Sequence, residues 1–127
     1  MKSREINSLF KNLSRIIKDP KSDLKYKNKF TLLVSVVLSA QCTDVNVNNV
    51  TKNIYPKYNK PEHFVKLGRK KIEKLIKSIG LFRNKAKSIY LLSNQLIEKH
   101  NGKVPKNFDN LYALPGVGKK TASVVLN

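Results

Sequence analysis

Acidic residues are scarce in this chain. Eight Asp and Glu stand against 26 Lys and Arg over 127 residues, a formal net charge of +18. That balance favours polyanionic partners, nucleic acid first and an anionic membrane surface second. Part of it follows from composition bias, because Lys, Asn and Ile are all abundant; charge therefore supports nucleic-acid binding without establishing it. Cysteine is nearly absent. The single Cys42 excludes an internal disulfide and a multi-cysteine metal or cluster site, is expected to pack as a small apolar residue, and fits a reducing, intracellular compartment. Long apolar runs are missing too: the longest, Phe30 to Ala40, is too short to span a bilayer and contains Thr31 and Ser35. No apolar signal core follows Met1-Lys2-Ser3-Arg4-Glu5. His63 and His100 stand at no ligand spacing and read as surface residues.

What the chain does have is helical periodicity. A hydrophobic fraction of 40% permits a sizeable core in one domain. Ile6, Leu9, Phe10, Leu13, Ile16 and Ile17 share one face of a basic helix that Asp19-Pro20 ends. Phe30 to Ser39 is apolar nearly all round, as a central buried helix. Asp44 is the expected cap of a helix from Val45 towards Ile54, with Val47, Val50 and Ile54 inward. Glu62 to Leu67 predicts one short turn. Lys70 to Ser78 predicts a helix burying Ile72, Leu75, Ile76 and Ile79, with Gly80 as its stop. Asn84 to His100 predicts a long helix ended by Gly102. The class is all-α, about seven helices with short links around one core.

The stretch from Leu114 to Asn127, LPGVGKKTASVVLN, carries the chemistry. Ahead of it, Asn107 to Ala113 reads as a short helix capped by Asn107. A proline and two glycines then form a tight turn, and a helix begins at once. Gly116 and Gly118 permit positive φ and close approach of another backbone. The amides of Val117, Gly118 and Lys119 should lack carbonyl partners and, with the positive dipole end, form a phosphate grip. Helix, glycine hairpin and helix hold a nucleic-acid backbone without reading bases. Lys119 and Lys120, on spacing alone, read as solvated phosphate contacts. Lys120 is also a candidate nucleophile, since the dipole, the adjacent Lys119 and burial in a cleft would each favour its neutral amine. The apolar Val124, Val125 and Leu126, with no cap after them, suggest a helix cut short and hence a fragment or truncated product.

LPGVGKKTASVVLN resembles the helix-hairpin-helix of the endonuclease III family of DNA repair glycosylases. LSAQCTDVNVN (Leu38 to Asn48) and IGLFRNKA (Ile79 to Ala86) resemble two further motifs of that family, in its order and spacing. The resemblance implies a helix-hairpin-helix glycosylase fold. A nearly complete helical barrel domain would occupy 21–127, with the hairpin at 108–127. Residues 1–20 would be the N-terminal helix of a second, iron-sulfur domain otherwise mostly missing. Lys120 aligns with the family's Schiff-base lysine, which adenine-removing relatives lack; this implies a bifunctional glycosylase and abasic-site lyase acting on oxidised pyrimidines. Gln41 and Leu81 match the residues that fill the gap left by an everted base. Arg83, Asn84 and Lys85 are expected phosphate contacts, as are Lys119 and the amides of Gly116, Val117 and Gly118.

Two parts of the family pattern have no counterpart. The assisting aspartate would lie beyond Asn127, and neither Asp44 nor Asp109 matches it. The four cysteines of the family's [4Fe-4S] cluster would also lie there, so this chain is expected to bind no cofactor and no metal. The implied partner is double-stranded DNA with a damaged base or abasic site, met by a monomer in a bacterial cytoplasm and not at a membrane. A non-catalytic DNA-binding hairpin module and an inactive truncated remnant remain open alternatives.

Overall fold

The computed structural model describes residues 23–126. The amphipathic helix read at Arg4 to Lys18 lies outside the described residues. Within them the architecture is six helices, with no strand: α1 (Lys29–Ser39), α2 (Asp44–Thr51), α3 (Pro61–Leu75), α4 (Phe82–His100), α5 (Phe108–Tyr112) and α6 (Lys119–Leu126). The all-helical expectation holds.

Helix α1 is the core. Every residue from Phe30 to Leu38 is buried, and α2, α4 and α6 all pack on it. Asn28 starts it through a reciprocal capping box. The Asn28 side chain accepts from the Thr31 amide at 2.8 Å, while the Asn28 amide donates to Thr31 Oγ1 at 2.9 Å. The buried hydroxyls on this helix are satisfied: Ser35 Oγ lies 2.5 Å from the Tyr55 hydroxyl, which donates to the Thr31 carbonyl at 3.0 Å. Burial pushes the Tyr55 phenol well above its ordinary value, against the opposing effect of the Ser35 bond.

Two boundaries differ from the sequence reading. The cap of α2 is Thr43, whose side chain accepts from the Asn46 amide, and Asp44 is the first helical residue. The helices expected either side of residue 68 both form within α3, parted where Gly68 leaves helical backbone at φ 80° and ψ 162°. That helix stops at Leu75 rather than at Gly80. The chain then turns through Ile76 and Ile79, both buried, with the Ile79 amide donating to the Ile76 carbonyl at 2.8 Å. The left-handed corner expected of Gly80 falls on Leu81, at φ 60°.

Helices α3 and α4 form the most extensive pair, burying Phe64 and Ile72 from one and Ala86, Ile89, Leu92 and Leu96 from the other. The end of α4 follows expectation. Asn101 and Gly102 take left-handed φ, and the Gly102 amide donates back to the Leu96 carbonyl at 2.8 Å. Asn107 caps α5 as expected, accepting from the Asn110 amide at 2.8 Å.

Candidate nucleic-acid interface

The hairpin between α5 and α6 is anchored from below by apolar side chains. Leu111, Leu114 and Val117 are buried, as are Ala122, Val124 and Val125 of α6. Helix α6 lies against both α1 and α5, and Lys29 Nζ donates to the Val125 carbonyl at 2.8 Å near its C-terminal end. With these residues inward, Gly116, Gly118, Lys119 and Lys120 are left exposed.

The two glycines do different work. Gly116 has φ 77°, and a Cβ there would lie 2.5 Å from Ser88 Cβ and 2.6 Å from its Oγ. It is glycine because the hairpin backbone presses directly on α4. Gly118 has nothing within 4 Å of a Cβ. Its carbonyl accepts the first bond of α6, from the Ala122 amide at 2.9 Å, which makes it the N-cap. A glycine cap has no side chain to bond the first-turn amides, unlike Asn28, Thr43 and Asn107. The α6 end is thus open, with its positive dipole end towards solvent. The phosphate grip expected from the Val117 amide needs correction: that N–H donates to the Leu114 carbonyl at 3.1 Å and is used by the turn. The available amides belong to α6's first turn, at and after Lys119.

Gln41 and Leu81 are both exposed, and both hold left-handed backbone, φ 58° and 60°. Leu81 leaves 55% of its surface in water, which disposes of an ordinary core role. Neither is glycine, and the only other described non-glycine residue with positive φ is Asn101. Arg83 is exposed, its guanidinium 5.0 Å over the Phe82 ring. Asn84 is exposed as well.

Lys85 is where the sequence reading fails. Expected on the surface as a phosphate contact, it is 6% exposed. Its Nζ donates to the Leu38 carbonyl at 3.0 Å and the Ala40 carbonyl at 2.5 Å. Burial draws its pKa below the usual lysine value, with the nearby Cys42 acting the other way. Cys42 is half-buried against the core, its Sγ accepting from Asn46 Nδ2 at 3.2 Å. His63, read as a surface residue, is half-buried; its Nδ1 accepts from the Asn59 amide at 3.1 Å.

These observations converge on the start of α4. Leu81, Lys85 and Ser88 stand at i, i+4 and i+7, one stripe of a helix. Leu81 projects from its tip, Lys85 holds the carbonyls just before Gln41, and Ser88 supports Gly116. Seven residues of helix span about 10 Å, roughly three base steps of one DNA strand. Ser88 was not found in the sequence. Only its i+7 spacing from Leu81 signals it, and that spacing is uninformative without the fold.

Residues 34–125 match the model of the HhH-GPD superfamily of base excision DNA repair proteins. The chain belongs to that family. It is 49% identical over 127 residues to Endonuclease III of Rickettsia prowazekii (strain Madrid E), covering 100% of this chain and 60% of the relative. It is 50% identical over 105 residues to Endonuclease III of Bacillus subtilis (strain 168), covering 83% of this chain and 48% of that protein. Among solved structures it is similar to a trapped covalent Endonuclease III–DNA intermediate, an estranged-adenine complex (TM-score 0.81, 50% identity, 85% of this chain and 51% of that one). It also resembles a thermostable thymine-DNA glycosylase (TM-score 0.74, 30% identity, 78% of this chain and 46% of that one). The chain thus spans between about half and 60% of these relatives. Among the described residues no group of three or more His, Cys, Asp or Glu could hold a metal ion. Cys42, the chain's single thiol, does not fit a cluster that needs four.

Proposed function

We propose that this chain is the helical-barrel part of a base-excision repair glycosylase with abasic-site lyase activity, acting on oxidised pyrimidines and abasic sites in duplex DNA. The observation that carries the reading is the α4 stripe. It ties an exposed left-handed leucine, the loop bearing an exposed left-handed glutamine, and the uncapped hairpin to two turns of one helix. In the proposed reaction the first-turn amides of α6 hold a phosphate. Leu81 and Gln41 enter the gap as the damaged nucleotide swings out. The neutral amine of Lys120 then attacks C1′. The C1′–N bond breaks with its electron pair leaving on the base, which takes up a proton. Opening of the sugar ring gives an iminium between Lys120 and C1′, loss of a C2′ proton expels the 3′ phosphate, and water releases the lysine. Lys119 and Arg83 supply phosphate contacts. The related Endonuclease III trapped covalently on DNA supports a covalent step of this kind.

The test is borohydride trapping on a duplex with one abasic site. The chain is expected to form a covalent adduct that Lys120→Ala abolishes and Lys119→Ala retains. Trapping undiminished in Lys120→Ala would reject the assignment. The exposure of Lys120 favours a second reading, a non-catalytic hairpin that only holds phosphates. That protein would bind duplex with steep salt dependence, show no lesion preference and tolerate Leu81→Ala.

A further inference from the structure

Lys85 is the only lysine buried among the described residues. The fold places its ammonium at the C-terminal end of α1, where the last carbonyls lack following helical amides and the dipole is negative. Of the two acceptors, Ala40 directly precedes Gln41 and Leu38 lies three residues before it, and Lys85 lies one helical turn past Leu81. This single side chain therefore spans the two loops that carry the left-handed, solvent-facing residues. Asn46 spans them less directly, from Cys42 Sγ at 3.2 Å to the Ser78 carbonyl at 3.5 Å. A lysine that only filled core volume would need no amine. One that only contacted DNA would not be buried on two carbonyls.

We propose that Lys85 is a positioning residue: its ammonium, bonded to the Leu38 and Ala40 carbonyls, holds Gln41 and Leu81 at a fixed separation so that both enter one gap in the duplex together. The proposal rests on the DNA-wedging role given to those two residues, but the brace itself can be measured without DNA. Two charge-assisted bonds made at once lock loop to helix, and removing the amine frees both ends together. The stem is buried, Lys85 being 6% exposed, so an unbranched methionine of similar length can replace it with little change in packing.

The experiment compares the whole chain with Lys85→Met by amide hydrogen exchange, then on duplex DNA. Exchange at residues 39–43 and 79–83 is expected to speed on the order of tenfold in the variant, with α6 unchanged. On a duplex carrying 2-aminopurine beside an abasic site, the fluorescence rise on binding and the rate of borohydride trapping should fall by a similar factor. Combining Lys85→Met with Leu81→Ala should then add little, because both remove one concerted insertion. Should Lys85→Met fail to fold, Lys85→Gln is measured in the same way and must also loosen both loops. Unchanged exchange, loosening of one loop alone, or fully additive losses with Leu81→Ala would overturn the brace. Loosened loops in a chain whose parent is never trapped on abasic DNA would leave the brace standing and remove the proposed function instead.

Discussion

Replacing Gly116 with alanine tests whether the hairpin is held by contact with α4. Two separate costs arise. The left-handed backbone at φ 77° disfavours any L side chain by about 1–2 kcal/mol. The new Cβ would also sit 2.5 Å from Ser88 Cβ, well inside the separation of roughly 3.5–4 Å that two carbons prefer. Ser88 cannot rotate away, since its Cβ is fixed to the α4 backbone. The hairpin must lift, an overpacking cost of about 1–3 kcal/mol. Together these predict a loss of about 2–5 kcal/mol, and a fall in Tm on the order of 10 °C for a domain of this size.

Gly118→Ala is the control, at a site with nothing within 4 Å; as the loss of a glycine N-cap without a clash it should cost about 1 kcal/mol or less. The assay is urea denaturation of the two single variants, Ser88→Gly, and the double variant Gly116→Ala/Ser88→Gly. Ser88→Gly alone should cost about 1 kcal/mol as a helix-interior glycine. In the Gly116→Ala background it should cost less or stabilise, because it removes the clash, giving a coupling of about 1–3 kcal/mol. Strictly additive effects, or a Gly116→Ala variant as stable as Gly118→Ala, would refute the claim that α4 sets the height of the hairpin.

Leu81→Gly and Gln41→Gly should each stabilise the chain by about 0.5–1 kcal/mol, since glycine relieves left-handed strain, yet lower discrimination of damaged from intact duplex in a fluorescence binding assay. Tyr55→Phe should lose about 1–2 kcal/mol at neutral pH by removing the bonds to Ser35 and the Thr31 carbonyl. The folded-state pKa of Tyr55 is raised above its ordinary 10.0, so this stability is fully present below pH 10 and is lost as the pH rises towards the folded value. The gap between wild type and Tyr55→Phe in urea midpoints should narrow across that alkaline range.

Periodicity revealed α1, the inward faces of α2 to α4 and the cap at Asn107, because each depends on local spacing or a local side-chain bond. Lys85 was misplaced for an equally physical reason. Among exposed Arg83, Asn84 and Lys87 its sequence is that of a solvated helix face, and only the α1 carbonyls, more than forty positions earlier in the chain, make an inward amine favourable. Val117 misled similarly: a glycine turn suggests open amides, but whether the turn closes on its own carbonyl is decided by Leu111, Leu114 and Val117 settling into the core. The difference between Gly116 and Gly118 is likewise set by Ser88, which belongs to another helix.

Leu81 makes the same point more sharply. Gly80 stands next to it and could take the left-handed corner at little cost, yet the strained φ falls on the leucine. Gln41 repeats the pattern after α1. Two such residues together forfeit about 2–4 kcal/mol, a large share of the stability of a small domain. Strain of this kind persists only where surrounding structure enforces it. Here the enforcing contacts can be named: buried Ile76 and Ile79 turn the chain outward before Leu81, and Lys85 fastens the carbonyls before Gln41. A core built only for stability would have moved the corner to Gly80 and left Leu81 against the apolar interior. The stored strain leaves two side chains exposed on constrained backbone, Leu81 with 55% of its surface in water, which favours insertion into something outside the protein over any role in holding the fold.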